Sequence, residues 1–169
     1  MAKILYEENM NYGIHCGKAV WATDMIHDVY QSSHLKLKDV DFAIETENCV
    51  ILVEYKNANI KGAKKKREFA PESDDVIASV VQKFFDSLHY LNLIGKQKPV
   101  RYVYILEWPG GDSRMRKRLR NYIKKTLPFE LQKQLNAGKK LIETFDIVSI
   151  DEWNRDNLYG QFPCLPVTV

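Results

Sequence analysis

Asp41 is followed, after twelve intervening residues, by Glu54, and Lys56 comes two positions later. Two carboxylates and an ammonium are the side chains that metal-assisted phosphoryl chemistry calls for. Carboxylate oxygens hold hard divalent cations, the bound cation polarises a phosphate oxygen and acidifies water, and an ammonium offsets charge that develops in the transition state. The spacing lets the three meet. Val40, Phe42 and Ile44 alternate with Asp41, Ala43 and Glu45, which is the period of a strand. Thr46, Glu47 and Asn48 supply a turn, and Val50 to Val53 is a β-branched run that ends in Glu54-Tyr55-Lys56. An antiparallel hairpin of these two segments sets Asp41 across from Glu54, with Glu54 and Lys56 on one face. The competing reading makes Asp41 a solvent-edge residue and Glu54 with Lys56 a surface ion pair worth only about 0–1 kcal/mol. Against it, the two charges end the most apolar strand of the chain, where an ionised group needs a partner.

The surrounding pattern describes the elements that must position this hairpin. Ile4 to Tyr6 is a short strand or turn, and Val20, Trp21, Met25, Ile26 and Val29 recur at helical spacing, predicting a first helix from Lys18 to about Tyr30 with Asp24 and Asp28 one turn apart on its polar side. Ser73 is a suitable N-cap, Asp74 and Asp75 favour a first turn, and Ile77, Val80, Val81, Phe84, Leu88 and Leu91 make an apolar stripe, predicting a helix over 74–93. A strand is expected over 101–108, stopped by Pro109, Gly110 and Gly111. A basic helix follows over 113–127, then a short helix over 129–137 and a late strand over 144–150, while the tail after Asp151 carries no clear long element. The whole reads as a single α/β domain over 1–169, with a mixed central sheet flanked by helices.

Composition narrows the function. The 169 residues are 45% hydrophobic, enough for a core without disulfide support. Cys16, Cys49 and Cys164 are unpaired in number and far apart, and the four histidines are scattered, so a zinc enzyme is not indicated. Gly110-Gly111 lacks the lysine of a phosphate-binding loop. The N-terminus does not resemble a secretion signal and no run approaches the roughly 20 apolar residues of a membrane span, which predicts a cytoplasmic protein with no membrane partner. The net charge of +3 conceals a division: −4 over residues 1–56, +11 over 57–140 and −4 over 141–169. The basic middle is suited to a polyanion, though a solvated surface uses the same charge. Within it, Lys61, Lys64, Lys65, Lys66 and Arg67 form one candidate phosphate-binding cluster and Arg114, Lys117 and Arg118 another.

The segments Val40-Asp41-Phe42-Ala43-Ile44 and Ile51-Leu52-Val53-Glu54-Tyr55-Lys56-Asn57 resemble the two motif strands of the PD-(D/E)xK, or restriction-endonuclease-like, nucleases, with Val40 at the position of the proline. The resemblance implies a mixed four-stranded core sheet flanked by helices. It further implies Asp41 and Glu54 as ligands of Mg²⁺ or Mn²⁺, Lys56 as the catalytic lysine, and the backbone carbonyl of Tyr55 as a further ligand. A further acidic residue from the first helix is expected in such proteins, for which Asp24 and Asp28 are the candidates, with Glu7 or Glu8 if that helix begins earlier. Gln82 resembles the glutamine that some members carry on the helix after the catalytic strand. The expected function is a metal-dependent nuclease hydrolysing DNA, an endonuclease rather than an exonuclease. A homodimer would present two such sites to two strands. The alternative is an inactive relative that keeps the fold as a module for binding nucleic acid or a protein partner.

Overall fold

The β-branched run at Val50 to Val53 lies at the middle of the sheet, and its neighbours are explained by what must cover it. In the computed structural model, which describes residues 3–59 and 69–168, the elements are β1 (Ile4–Tyr6), β2 (Tyr12–His15), β3 (Trp21–Thr23), α1 (Ile26–Ser32), β4 (Phe42–Glu45), β5 (Val50–Asn57), α2 (Asp74–Leu93), β6 (Val100–Glu107), α3 (Ser113–Lys124), α4 (Phe129–Gln134), β7 (Thr144–Val148), α5 (Ile150–Arg155) and β8 (Cys164–Pro166), with a 3₁₀ turn at Tyr159–Gln161. The large sheet has the order β3-β4-β5-β6-β7. β3, β4 and β5 are antiparallel neighbours, and β5, β6 and β7 are parallel. Parallel strands need a long crossover; α2 supplies it between β5 and β6, and α3 with α4 between β6 and β7.

Both faces of this sheet are covered, which is why β4 is buried along its whole length and β5 as far as Glu54. Ala43, Val50, Leu52, Tyr102 and Tyr104 face α1, α2 and α3 through Tyr30, Val80, Phe84 and Ile123. Phe42, Ile44, Ile51, Val53, Val103 and Ile105 face the other way, onto a small antiparallel sheet, β1-β2-β8, and the fully buried Trp153 of α5. The small sheet was not legible in the sequence, because strands of three or four residues are too short for a period to show.

The largest departure from the expected elements is the first helix. Only its second half is helical, and Trp21 to Thr23 instead forms the edge strand β3, paired with Glu45, Ile44 and Ala43. Val20, Trp21 and Thr23 are good strand formers, and the ladder with β4 satisfies backbone groups over a stretch whose apolar spacing alone reads as helix. The Thr23 hydroxyl then accepts the Met25 N–H at 3.1 Å, turning the chain into α1. By contrast α2 has the predicted bounds. Ser73 caps it by accepting from the Val76 N–H at 3.4 Å. Its far end closes through Gly95 at φ +77°, with the Lys96 N–H donating to the Leu91 carbonyl at 2.9 Å, a left-handed close that favours glycine. Among the described residues no helix is long and apolar enough to cross a membrane.

Candidate active site

Two of the residues predicted to do chemistry, Asp41 and Glu54, come together where β4 begins and toward the end of β5. Phe42 pairs with Val53, so the register carried one residue further sets Asp41 beside Glu54. Alternation puts both on the α2 side of the sheet, along with Ala43 and Leu52. Asp41 is held from two directions. Its Oδ2 accepts the Tyr55 N–H at 2.7 Å, and the segment leading into it is tied to α2 where the Lys38 N–H donates to Asp86 Oδ2 at 2.8 Å and the Val40 N–H to Ser87 Oγ at 3.0 Å. Two polar residues on the buried side of α2 therefore place the start of β4.

Glu54 is 7% exposed, beside Tyr104 of β6. Its Oε1 accepts from Lys83 Nζ at 2.5 Å, while Oε2 is buried with no hydrogen-bond partner among the described residues. Burial first, and then the neighbouring Asp41 charge, push the Glu54 carboxyl up to about 8, with Lys83 opposing the shift. Asp41 is raised for the same leading reason, loss of solvent, with the Lys83 charge and the Tyr55 N–H holding it down and Asp39 and Glu8 adding to the rise. Lys83 is itself raised: burial pulls it down, but the Glu54 and Asp41 carboxylates outweigh that. Two acids that resist ionisation together, with one cation among the described residues set against Glu54, leave the site short of positive charge.

No family model, no curated protein and no solved structure matches the chain.

The site opens into a cleft of about 610 Å³ walled by the β1–β2 turn, the start of α1, the segment before β4, and Ser79 and Lys83 of α2. Asp24 and Asp28 both line it and are exposed, as is Glu8, and Asp39 lies there in an ion pair with His27 at 3.0 Å. Glu7 is buried and occupied by the β1–β2 turn, accepting from the Asn9 and Asn11 N–H groups at 2.8 and 2.5 Å. Among the described residues no three histidine, cysteine, aspartate or glutamate side chains stand close enough together to hold one ion. Asp24 and Asp28 share the cleft with Asp41 without completing such a group.

Lys56, on the predicted face, and Gln82, on the predicted helix, are each engaged with another partner. Lys56 shares the face of Glu54 but is exposed, its Nζ 5.4 Å from the centroid of the Phe69 ring. Gln82 is exposed and donates to Asp86 Oδ2 at 3.4 Å within its own helix. The residue of α2 that reaches the carboxylates is the next one, Lys83. Its sequence signal is faint: it lies three residues after Val80 and four before Ser87, both buried, at the border of the apolar stripe. A lysine there is usually read as solvated.

Of the basic clusters, Lys61, Lys64, Lys65, Lys66 and Arg67 lie outside the described residues. Arg114, Lys117 and Arg118 are exposed on α3. Their neighbours are used by the fold, since Arg116 is buried and pairs with Glu152 at 2.6 Å, and Arg120 lies 3.8 Å from Asp146. Trp108 and Trp153 are core residues, and Trp21 lies beneath Lys96 with the ammonium 4.7 Å from its ring.

Proposed function

We propose that this chain is a metal-dependent nuclease of restriction-endonuclease-like fold that hydrolyses DNA phosphodiester bonds, with Asp41 and Glu54 as the residues that hold Mg²⁺ or Mn²⁺. The observation that carries the reading is a pair of adjacent carboxylates, one just before β4 and one toward the carboxyl end of β5, of which Glu54 keeps a buried oxygen without a partner among the described residues. A buried carboxylate oxygen normally finds a donor, and hard cations are held by oxygens of this kind. The residues present therefore fit a divalent ion. Such an ion supplies Lewis acidity toward a phosphate oxygen and a lowered pKa for water when bound.

The rest is the work of the chain. Asp41 is oriented by the Tyr55 N–H and Glu54 by Lys83, so neither has to be ordered when a ligand arrives. The carboxylates of Glu8, Asp24, Asp28 and Asp39 make the cleft repellent to a phosphate backbone until a cation balances them. The exposed Arg114, Lys117 and Arg118 would engage backbone phosphates away from the cut, giving affinity without base reading. The same proposal has the protein act in the cytoplasm, in keeping with free, buried Cys16, Cys49 and Cys164, and pair with a second copy on duplex substrates.

A second reading, an inactive module of this fold that binds nucleic acid or a protein partner, is favoured by one observation: no third ligating side chain joins Asp41 and Glu54 among the described residues. The two readings separate on incubation with linear, branched and single-stranded DNA and with RNA, in Mg²⁺, Mn²⁺ or EDTA. Cleavage that needs the ion and disappears in Asp41→Ala supports the nuclease; retention of substrate without any cleavage supports the module.

A further inference from the structure

Lys83 enters the site from outside the hairpin that defines it. Its Nζ is 2.5 Å from Glu54 Oε1, its side chain is a quarter exposed, and it lines the cleft alongside Asp41. An ammonium held against one of two neighbouring carboxylates supplies charge where a divalent ion would supply it. It does so incompletely, because Glu54 Oε2 has no donor among the described residues, whereas an ion with six or more coordination positions can take oxygens from both acids. Lys83 also has a way out. Its four-carbon stem is flexible and its head reaches the open cleft, where Lys38 Nζ already donates to Ser79 Oγ at 3.2 Å, one turn before Lys83 on the same helix. α2 itself need not move, since it is capped at Ser73 and fastened to the segment before β4 through Asp86 and Ser87.

We propose that Lys83 is a placeholder cation: it holds Glu54 against Asp41 while no divalent ion is bound, competes with that ion for the two carboxylates, and on displacement turns into the cleft to meet the substrate phosphate. The inference rests on the metal-dependent reading of the site and moves the task of the motif lysine from β5 to α2.

Mn²⁺ affinity, read from the free-ion electron paramagnetic resonance signal, tests it apart from cleavage. Removal of a competing charge in Lys83→Met is expected to tighten Mn²⁺ binding by about tenfold, Lys83→Arg to leave it within about threefold of the parent, and Lys56→Met within about twofold. In the unaltered protein, the side-chain ammonium resonance of Lys83 is expected to be protected from exchange without metal and to lose that protection at saturating Mg²⁺, a measurement that stands even where Lys83→Met does not fold. Unchanged or weaker Mn²⁺ binding in Lys83→Met, a tightening of the same size in Lys56→Met, or an ammonium signal indifferent to Mg²⁺ overturns the proposal. Cleavage is scored separately. A parent that cuts no nucleic acid, yet whose Lys83→Met binds Mn²⁺ tighter, removes the nuclease reading and keeps the competition between lysine and ion.

Discussion

The β4–β5 hairpin carries a buried glutamate at each end, and the two are treated differently. Glu45, 6% exposed at the turn end, is met by Lys96 at 2.5 Å and Lys98 at 3.1 Å. The hydrogen bond from Lys96 holds its carboxyl below the ordinary range, against the cost of burial and with help from Lys98. Glu54, 7% exposed at the open end, has among the described residues one lysine, a neighbouring acid and an oxygen with no partner. Similar surface exposure thus accompanies opposite shifts, because Glu54 sits deeper in the fold and, among the described residues, is met by fewer cations. A buried charge that is fully paired is a structural element, while one left half-paired beside a like charge costs stability and persists where something else supplies the missing charge.

The sharpest way to break this comparison is activity. Asp41→Ala and Glu54→Gln are each expected to lower metal-dependent cleavage of DNA at least ~100-fold, about 2.7 kcal/mol of transition-state stabilisation, while Glu45→Gln leaves kcat/KM unchanged wherever the protein stays folded. Equal losses in all three variants would make the two ends alike.

Metal binding should stabilise one end only. Mn²⁺ at about 100 times its Kd adds about 2.7 kcal/mol to a native state that alone binds it, a rise of roughly 5–10 °C in Tm for a domain of this size. Calorimetry should show that rise in the parent and in Glu45→Gln, and not in Asp41→Asn.

Without metal, pH should separate the two glutamates. Glu54 has a folded pKa of about 8 against an ordinary 4.5, so stability is complete below 4.5 and declines as pH rises toward and through 8. Glu54→Gln removes that loss while Lys83 still faces Asp41, and its Tm should exceed the parent's by a margin that grows from pH 5 to pH 8. Glu45 is shifted down, so its contribution is present above 4.5 and fades as pH falls through the lower folded value. Glu45→Gln should melt below the parent at pH 8, and the gap should narrow in acid. Melting curves for both variants across this range would show the two margins diverging in opposite directions as pH rises.

The smallest effect is expected on α3. Replacing any one of Arg114, Lys117 or Arg118 by alanine should weaken DNA binding alike for different sequences and reduce the slope of log K against log salt by about 0.9 for each phosphate that the variant no longer neutralises. A sequence-dependent weakening would give that residue a base-reading role instead.

Long-period features were legible in the sequence. α2 shows its cap, its acidic first turn and its stripe over 20 residues, and its bounds are those the pattern predicts. β4 and β5 were visible through alternation and a β-branched run, and with them the pairing of Asp41 and Glu54 across a short turn. Short or doubly used segments were not. β3 carries helical spacing yet pairs with β4, because three residues at a sheet edge gain more from a ladder than from an amphipathic pattern. The three-stranded sheet over Trp153 joins both termini of the described chain, a pairing that lies within no local window.

By itself the sequence determined that two acids would sit side by side at the end of a buried strand, because strand alternation and turn length are local properties of the chain. Which cation answers them was decided by tertiary structure. Lys56 shares the strand of Glu54 and its ammonium lies over Phe69, whereas Lys83 is 29 residues from Glu54 and forms the ion pair. Distance along a chain sets which faces residues occupy; only the packing of a helix across strand ends sets which charged head reaches a buried oxygen.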